Sequence, residues 1–159
     1  MSADLANADK TKEIIERHGF AFRRQYGQNF LIDPSVPEGI IRAAELSKTD
    51  TVLEIGPGIG TMTQYLAEAA GRVIAVELDK ALIPILADTL AGFDNVTVIQ
   101  GDILKTDLSP IIEEAGGALK VVANLPYYIT TPILMKLLED GEGISLMTVM
   151  VQEDRKSVV

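Results

Sequence analysis

Asn124-Leu125-Pro126-Tyr127 follows the largely apolar run 119–123 and combines residue types that can together grip an exocyclic amine. The Asn side-chain oxygen and the Leu125 backbone carbonyl are both hydrogen-bond acceptors. Pro126 fixes its own φ and biases Leu125 toward an extended conformation, so both acceptors are held rather than mobile. The ring of Tyr127 can stack on the flat base that carries the amine. Such a cradle suits a flipped or unpaired adenine whose N6 is to be modified. The same four residues also read as a Pro turn that ends a strand, with Tyr127 as ordinary packing.

Three further groups sit at matching positions. Glu54-Ile55-Gly56-Pro57-Gly58-Ile59-Gly60 lies at a strand-to-helix turn, where glycines let backbone approach a ligand closely. Dinucleotide-binding proteins share that pattern, but two details favour S-adenosylmethionine. The Glu54 carboxylate would attract a cationic amino-acid group and repel a pyrophosphate. Pro57 removes a backbone donor that a phosphate nest would use. Glu77, 17 residues after Gly60, closes the next apolar run and can take both ribose hydroxyls, of this cofactor or of NAD. It also reads as a solvated strand-end carboxylate. Gly101-Asp102-Ile103 closes the third run, where Asp102 can accept from a cofactor adenine amine or cap the turn that follows.

The elements that must position these residues alternate. Strands are expected at 51–55, 72–77, 95–100, 119–123 and 144–151, and helices at 11–18, 34–46, 61–70, 80–90 and 131–138. Asp33 would cap the second helix and Pro34 would open it. The strands are continuous apolar runs, which is the signature of a parallel sheet covered on both faces. The fold expected is α/β, a doubly wound and mostly parallel sheet that binds ligands beyond the carboxyl ends of its strands. Residues 1–33 read as an N-terminal helix and a cofactor-covering loop. Residues 34–159 read as a catalytic domain, incomplete at its carboxyl end.

Composition narrows the chemistry. The 159 residues include no Cys and one His, His18, which excludes thiolate metal sites, disulfides and a His-based metal centre. Residues 1–10 lack the apolar core of a signal peptide, and no run approaches the roughly 18 apolar residues of a membrane span. The compartment expected is the cytoplasm, with no membrane partner. Net charge is −9, of which residues 51–159 carry −8, so the chain is an incomplete nucleic-acid surface by itself. Positive charge is densest at residues 17–24, interleaved with Phe20 and Phe22. That segment reads either as a phosphate contact or as a solvated helix end.

With these residues assembled, the chain resembles the KsgA family of small-subunit ribosomal RNA adenine dimethyltransferases. The likeness runs from about Phe22 to Gln152. It rests on Gly27-Gln28-Asn29-Phe30-Leu31-Ile32-Asp33, the glycine turn, Val76-Glu77-Leu78-Asp79, Gly101-Asp102-Ile103-Leu104 and Asn124-Leu125-Pro126-Tyr127-Tyr128. The Erm large-subunit methyltransferases are similar but more often carry Ile before the Pro. The resemblance implies a Rossmann-like fold dependent on S-adenosylmethionine. It further implies that Asn29 and Leu31, with Gln28 nearby, line the methionine side of the cofactor. Gly56 would join that wall, Glu77 hold the ribose, Asp102 the adenine, and Asn124 both cofactor and target amine, with Gly58, Leu78 and Ile103 as further cofactor-binding candidates. The partner implied is small-subunit ribosomal RNA or a pre-ribosomal particle, met by a monomer. Members of the family continue with further strands and a helical carboxyl-terminal domain. The rival readings are an Erm-like enzyme, a DNA adenine methyltransferase, a nicotinamide dehydrogenase and a non-catalytic ribosome-assembly factor.

Overall fold

The computed structural model describes residues 8–18, 35–125 and 127–151. Helix α1 (Ala8–Arg17) and helix α2 (Ser35–Ala43) precede the sheet. The alternating part follows as β1 (Thr51–Ile55), α3 (Thr61–Ala69), β2 (Arg72–Glu77), α4 (Ile83–Thr89), β3 (Val96–Gln100), α5 (Ser109–Glu114), β4 (Leu119–Leu125), α6 (Tyr127–Glu139) and β5 (Ile144–Val151). Every pairing is parallel, and the strand order is β3-β2-β1-β4-β5. The chain therefore winds outward from β1 through β2 to β3, then returns to the other side of β1 with β4. The switch point between β1 and β4 opens a crevice at the carboxyl edge.

The sheet is covered on both faces, as continuous apolar strands require. Val52, Val73 and Val122 pack on one side against Ile40 of α2 and Met62, Leu66 and Ala67 of α3. Leu53, Ile55, Ile74, Val76, Val121 and Ala123 pack on the other against Ile111 of α5 and Ile133 and Leu137 of α6. Because strand side chains alternate, Glu54 shares the face of Val52, Glu77 that of Val73, and Asn124 that of Val122. Three polar residues thus stand on the α3 side of neighbouring strands, near their carboxyl ends. Asn95 secures the far end of α3 by donating to the Ala67 carbonyl (2.9 Å) and the Ala70 carbonyl (3.2 Å), which the helix leaves unpaired.

Several boundaries depart from the pattern in the sequence. Strand β4 runs two residues beyond the expected end at 123, pairing Asn124 with Met150 and Leu125 with Val151. Asn124 is therefore held by a strand ladder and not by a loop. Helix α6 begins at Tyr127, four residues before the expected start, and carries Pro132 inside it. Pro132 removes one helical N–H, but Ile133 and Leu137, one turn apart and both buried, anchor that face to the core. The expected helix 80–90 divides into a 3-10 turn at Lys80–Leu82, capped by the Asp79 carboxylate, and α4. Helix α5 and a 3-10 turn at Ile103–Lys105 fill what reads in the sequence as a featureless connection. Asp33 and Pro34 lie outside the described residues.

Candidate active site at the carboxyl edge of the sheet

Where β1 ends, the Gly56 N–H still donates to the Val76 carbonyl (3.0 Å), so the first glycine extends the ladder before the chain turns. The Gly60 N–H donates back to the Pro57 carbonyl (3.0 Å), and α3 starts at the next residue. Gly60 has φ +98°, and a Cβ there would stand 2.8 Å from the Thr89 hydroxyl oxygen. That hydroxyl donates to the Ile59 carbonyl (2.8 Å), and the Gln64 amide donates to the Thr89 carbonyl (2.9 Å). The end of α4 thus grips the turn at close range, and only a residue without a side chain fits between them.

Glu77 ties this turn to the tip of β2. One carboxylate oxygen accepts from the Gly58 N–H (3.0 Å) and the other from the Asp79 N–H (2.9 Å). Burial pushes the Glu77 carboxyl above its ordinary value, the backbone N–H groups of Asp79, Gly58 and Leu78 oppose that, and the Asp79 charge adds to it. An ionised carboxylate has about four acceptor sites, so capacity for a further donor remains. Leu78 beside it is 59% exposed.

Glu54 stands at the end of β1 as expected, one residue before Ile55 closes the strand, but its side chain is 2% exposed, beneath the turn. The Thr63 hydroxyl, in the first turn of α3, donates to its carboxylate. Burial raises the Glu54 carboxyl to about 8, the Thr63 bond opposes, and the nearby Glu77 charge adds to the rise. Any attraction between Glu54 and a ligand acts from below the glycines.

Asp102 follows β3, and its Oδ1 accepts from the Leu104 N–H (2.9 Å), so it caps the 3-10 turn. Capping occupies one lone pair and is compatible with a second bond. Ile103 is turned into the core, 5% exposed, which leaves its backbone rather than its side chain for any ligand. Asn124 is half-buried and lies next to the glycine turn: a Cβ on Gly56 would come 3.4 Å from the Asn124 carbonyl oxygen. Leu125 is buried in the core on the α6 side. Gln28, Asn29, Leu31 and Pro126 lie outside the described residues, as does the side chain of Tyr127. Gly56, Gly58, Glu77 and Asn124 meet around the switch point, with Asp102 two strands away at the same edge.

Thr63, Gln64 and Thr89 were not legible as site residues. Their signal was weak but present: polar side chains at helix positions that must face the sheet, at 0%, 3% and 6% exposure.

This topology, with its glycine turn and an acidic tip on the adjacent strand, is that of the Rossmann-like S-adenosylmethionine-dependent methyltransferases. Residues 19–156 match the family model of the ribosomal RNA adenine dimethylases, and the chain belongs to that family. Among curated relatives, ribosomal RNA small subunit methyltransferase A of Lachnoclostridium phytofermentans is 58% identical over 155 residues, which are 96% of this chain and 53% of the relative. The protein of the same name from Streptococcus gordonii is 53% identical, over 94% of this chain and 53% of the relative. The chain spans about half the length of the curated relatives it matches. Of solved structures, the 23S rRNA methyltransferase ErmE superposes with a TM-score of 0.66 at 32% identity, over 78% of this chain and 48% of that one. A dimethyladenosine transferase from Plasmodium falciparum gives 0.65 at 30% identity, over 76% and 42%.

Proposed function

We propose that this chain carries the cofactor site and the adenine cradle of a ribosomal RNA adenine N6-dimethyltransferase acting on small-subunit RNA. The observation that carries the reading is the approach of β4 to the glycine turn, which sets the Asn124 backbone against Gly56. An amine gripped at Asn124 is then next to whatever the glycines hold. The names of the curated relatives support the small subunit as target.

The residues present fit S-adenosylmethionine. Glu77 is a carboxylate fixed by backbone donors, with acceptor capacity left for a ribose hydroxyl. Gly56 is bare where a side chain would narrow the crevice. Asp102 keeps an acceptor oxygen at the neighbouring tip. When bound, the cofactor supplies a methyl group on a sulfonium, a good leaving group, so the protein's task is orientation and electrostatics.

The N6 lone pair of adenine is delocalised into the ring. Hydrogen bonds from N6 to the Asn124 side chain and the Leu125 carbonyl favour a more tetrahedral nitrogen and free that pair for in-line attack. The β4–β5 ladder holds both residues by their backbones, so the acceptors lose little freedom when the base arrives. Tyr127 stacks on the base, worth about 1–3 kcal/mol. The proton released from N6 leaves to solvent, and no strong base is needed.

Single-turnover methyl transfer to immature small subunits tests the reading, with this chain and a full-length relative in parallel. N6-dimethyladenosine in the small-subunit RNA is the expected product. Transfer only to large-subunit RNA, or only to DNA oligonucleotides, would replace the substrate. Cofactor binding without turnover by either protein would favour an assembly factor.

A further inference from the structure

Two carboxyl groups stand on one face of adjacent strands beneath and beside the glycine turn, and the mechanism above uses only one of them. Glu77 is at the tip, held by the Gly58 and Asp79 N–H groups. Glu54 is in register with Ala75, two residues before Glu77, which places it one layer down, about 7 Å along the strand. Among the described residues its one hydrogen-bond partner is Thr63, itself 0% exposed. No described cation pairs with either carboxylate. A buried like-charged pair with a single neutral donor on its lower member does not tolerate two negative charges.

We propose that Thr63 is a positioning residue for the cationic amino-acid end of the cofactor: its hydroxyl holds the Glu54 carboxyl under the glycine turn, and that carboxyl gives up its proton as the cation binds above it. This rests on the proposed function and adds a proton linkage to it. Burial and the Glu77 charge keep Glu54 protonated at neutral pH in the free protein, consistent with its ionisation near 8. A cation arriving at the glycines reverses the balance by attracting the ionised form. The proton leaves the Glu54 carboxyl for solvent, no covalent bond changes in the ligand, and the new carboxylate charge is offset by the cation above it.

The other groups around Glu54 leave the linkage to this pair. On α3 the titratable side chains are Tyr65, half-buried, and Glu68, exposed. On β4 the only one is Lys120, toward the opposite end and occupied by Asp50 (3.0 Å) and the Glu45 carbonyl (2.9 Å). On α2, Glu38 and Arg42 are exposed. Asp79 acts on Glu77.

Calorimetry with S-adenosylhomocysteine, which keeps the amino-acid end, tests this from pH 6 to 7.5 in buffers of different ionisation enthalpy. Close to one proton should be released per ligand at pH 7, with affinity rising about tenfold per pH unit. 5′-Methylthioadenosine, which lacks the amino-acid end, should bind with no proton release and no pH dependence. Glu54→Gln should abolish the proton release. Thr63→Val should weaken S-adenosylhomocysteine about tenfold at pH 7 and shift its profile to higher pH, and Thr63→Ser should restore both. Proton release below a tenth per ligand in the wild type, or a wild-type profile in Thr63→Val, would overturn the inference while nucleoside binding leaves the cofactor site standing. Failure of the wild type to bind either compound would overturn the proposed function and the inference together.

Discussion

Gly60 is the position where the turn, helix α4 and the backbone conformation all make demands at once, so Gly60→Ala is a sharp test of how the site is built. A methyl group there would stand 2.8 Å from the Thr89 hydroxyl, 3.3 Å from Leu86 Cδ2 and 3.4 Å from Leu90 Cδ2. Leu86 is fully buried and Leu90 nearly so, and the Thr89 hydroxyl is committed to the Ile59 carbonyl, so none can move freely. Overpacking of this kind costs about 1–3 kcal/mol. Holding a non-glycine residue at φ +98° adds about 1–3 kcal/mol. The sum, about 2–6 kcal/mol, is a large part of the 5–15 kcal/mol typical of a domain. Urea unfolding should show the midpoint falling by about 1–3 M. Gly116→Ala is the matched control: φ is +66°, but no atom lies within 4 Å of the added methyl. There only the backbone strain applies, about 1–2 kcal/mol, partly offset by the stiffer unfolded chain. If Gly60→Ala loses no more stability than Gly116→Ala, α4 does not clamp the turn and the account of how the glycines are held is wrong.

Other expectations concern the ligand and the proton. Glu77→Ala removes the carboxylate proposed to hold the ribose and should weaken S-adenosylmethionine about 10- to 100-fold; unchanged affinity by calorimetry would dismiss the ribose assignment. Asn124→Ala should abolish methyl transfer while cofactor binding stays weakened but detectable, and undiminished turnover would remove the amine cradle. Glu54 binds its proton more tightly folded than unfolded, so its contribution to stability is complete below about 4.5 and is lost as pH rises through about 8. Glu54→Gln should therefore flatten the fall in urea stability between pH 5 and 8, by on the order of 1 kcal/mol per pH unit. Equal slopes in wild type and variant would show that the buried carboxyl is ionised throughout.

The sheet was legible because a parallel strand buried on both faces must be largely apolar along its length, and 51–55 and 72–77 are such runs. The tips were legible for the opposite reason: Glu77 and Asn124 interrupt apolar runs where a buried polar group would be unfavourable without a purpose or partner, and Asp102 follows the glycine that ends a third run. Helix α5 was not legible, because six residues beginning Ser-Pro are too short to show a period. The early start of α6 was hidden by Pro132, whose local preference was outweighed by the burial of Ile133 and Leu137. From residue types and spacing alone come the doubly wound architecture, the glycine turn and the polar tips. Tertiary structure alone decided that β4 returns beside β1 and brings Asn124 to Gly56, that Thr89 clamps the turn from α4, and that Glu54 lies beneath it on Thr63. Those contacts join residues 9 to 68 positions apart, and such pairings follow from strand order and face, which no local pattern in the chain encodes.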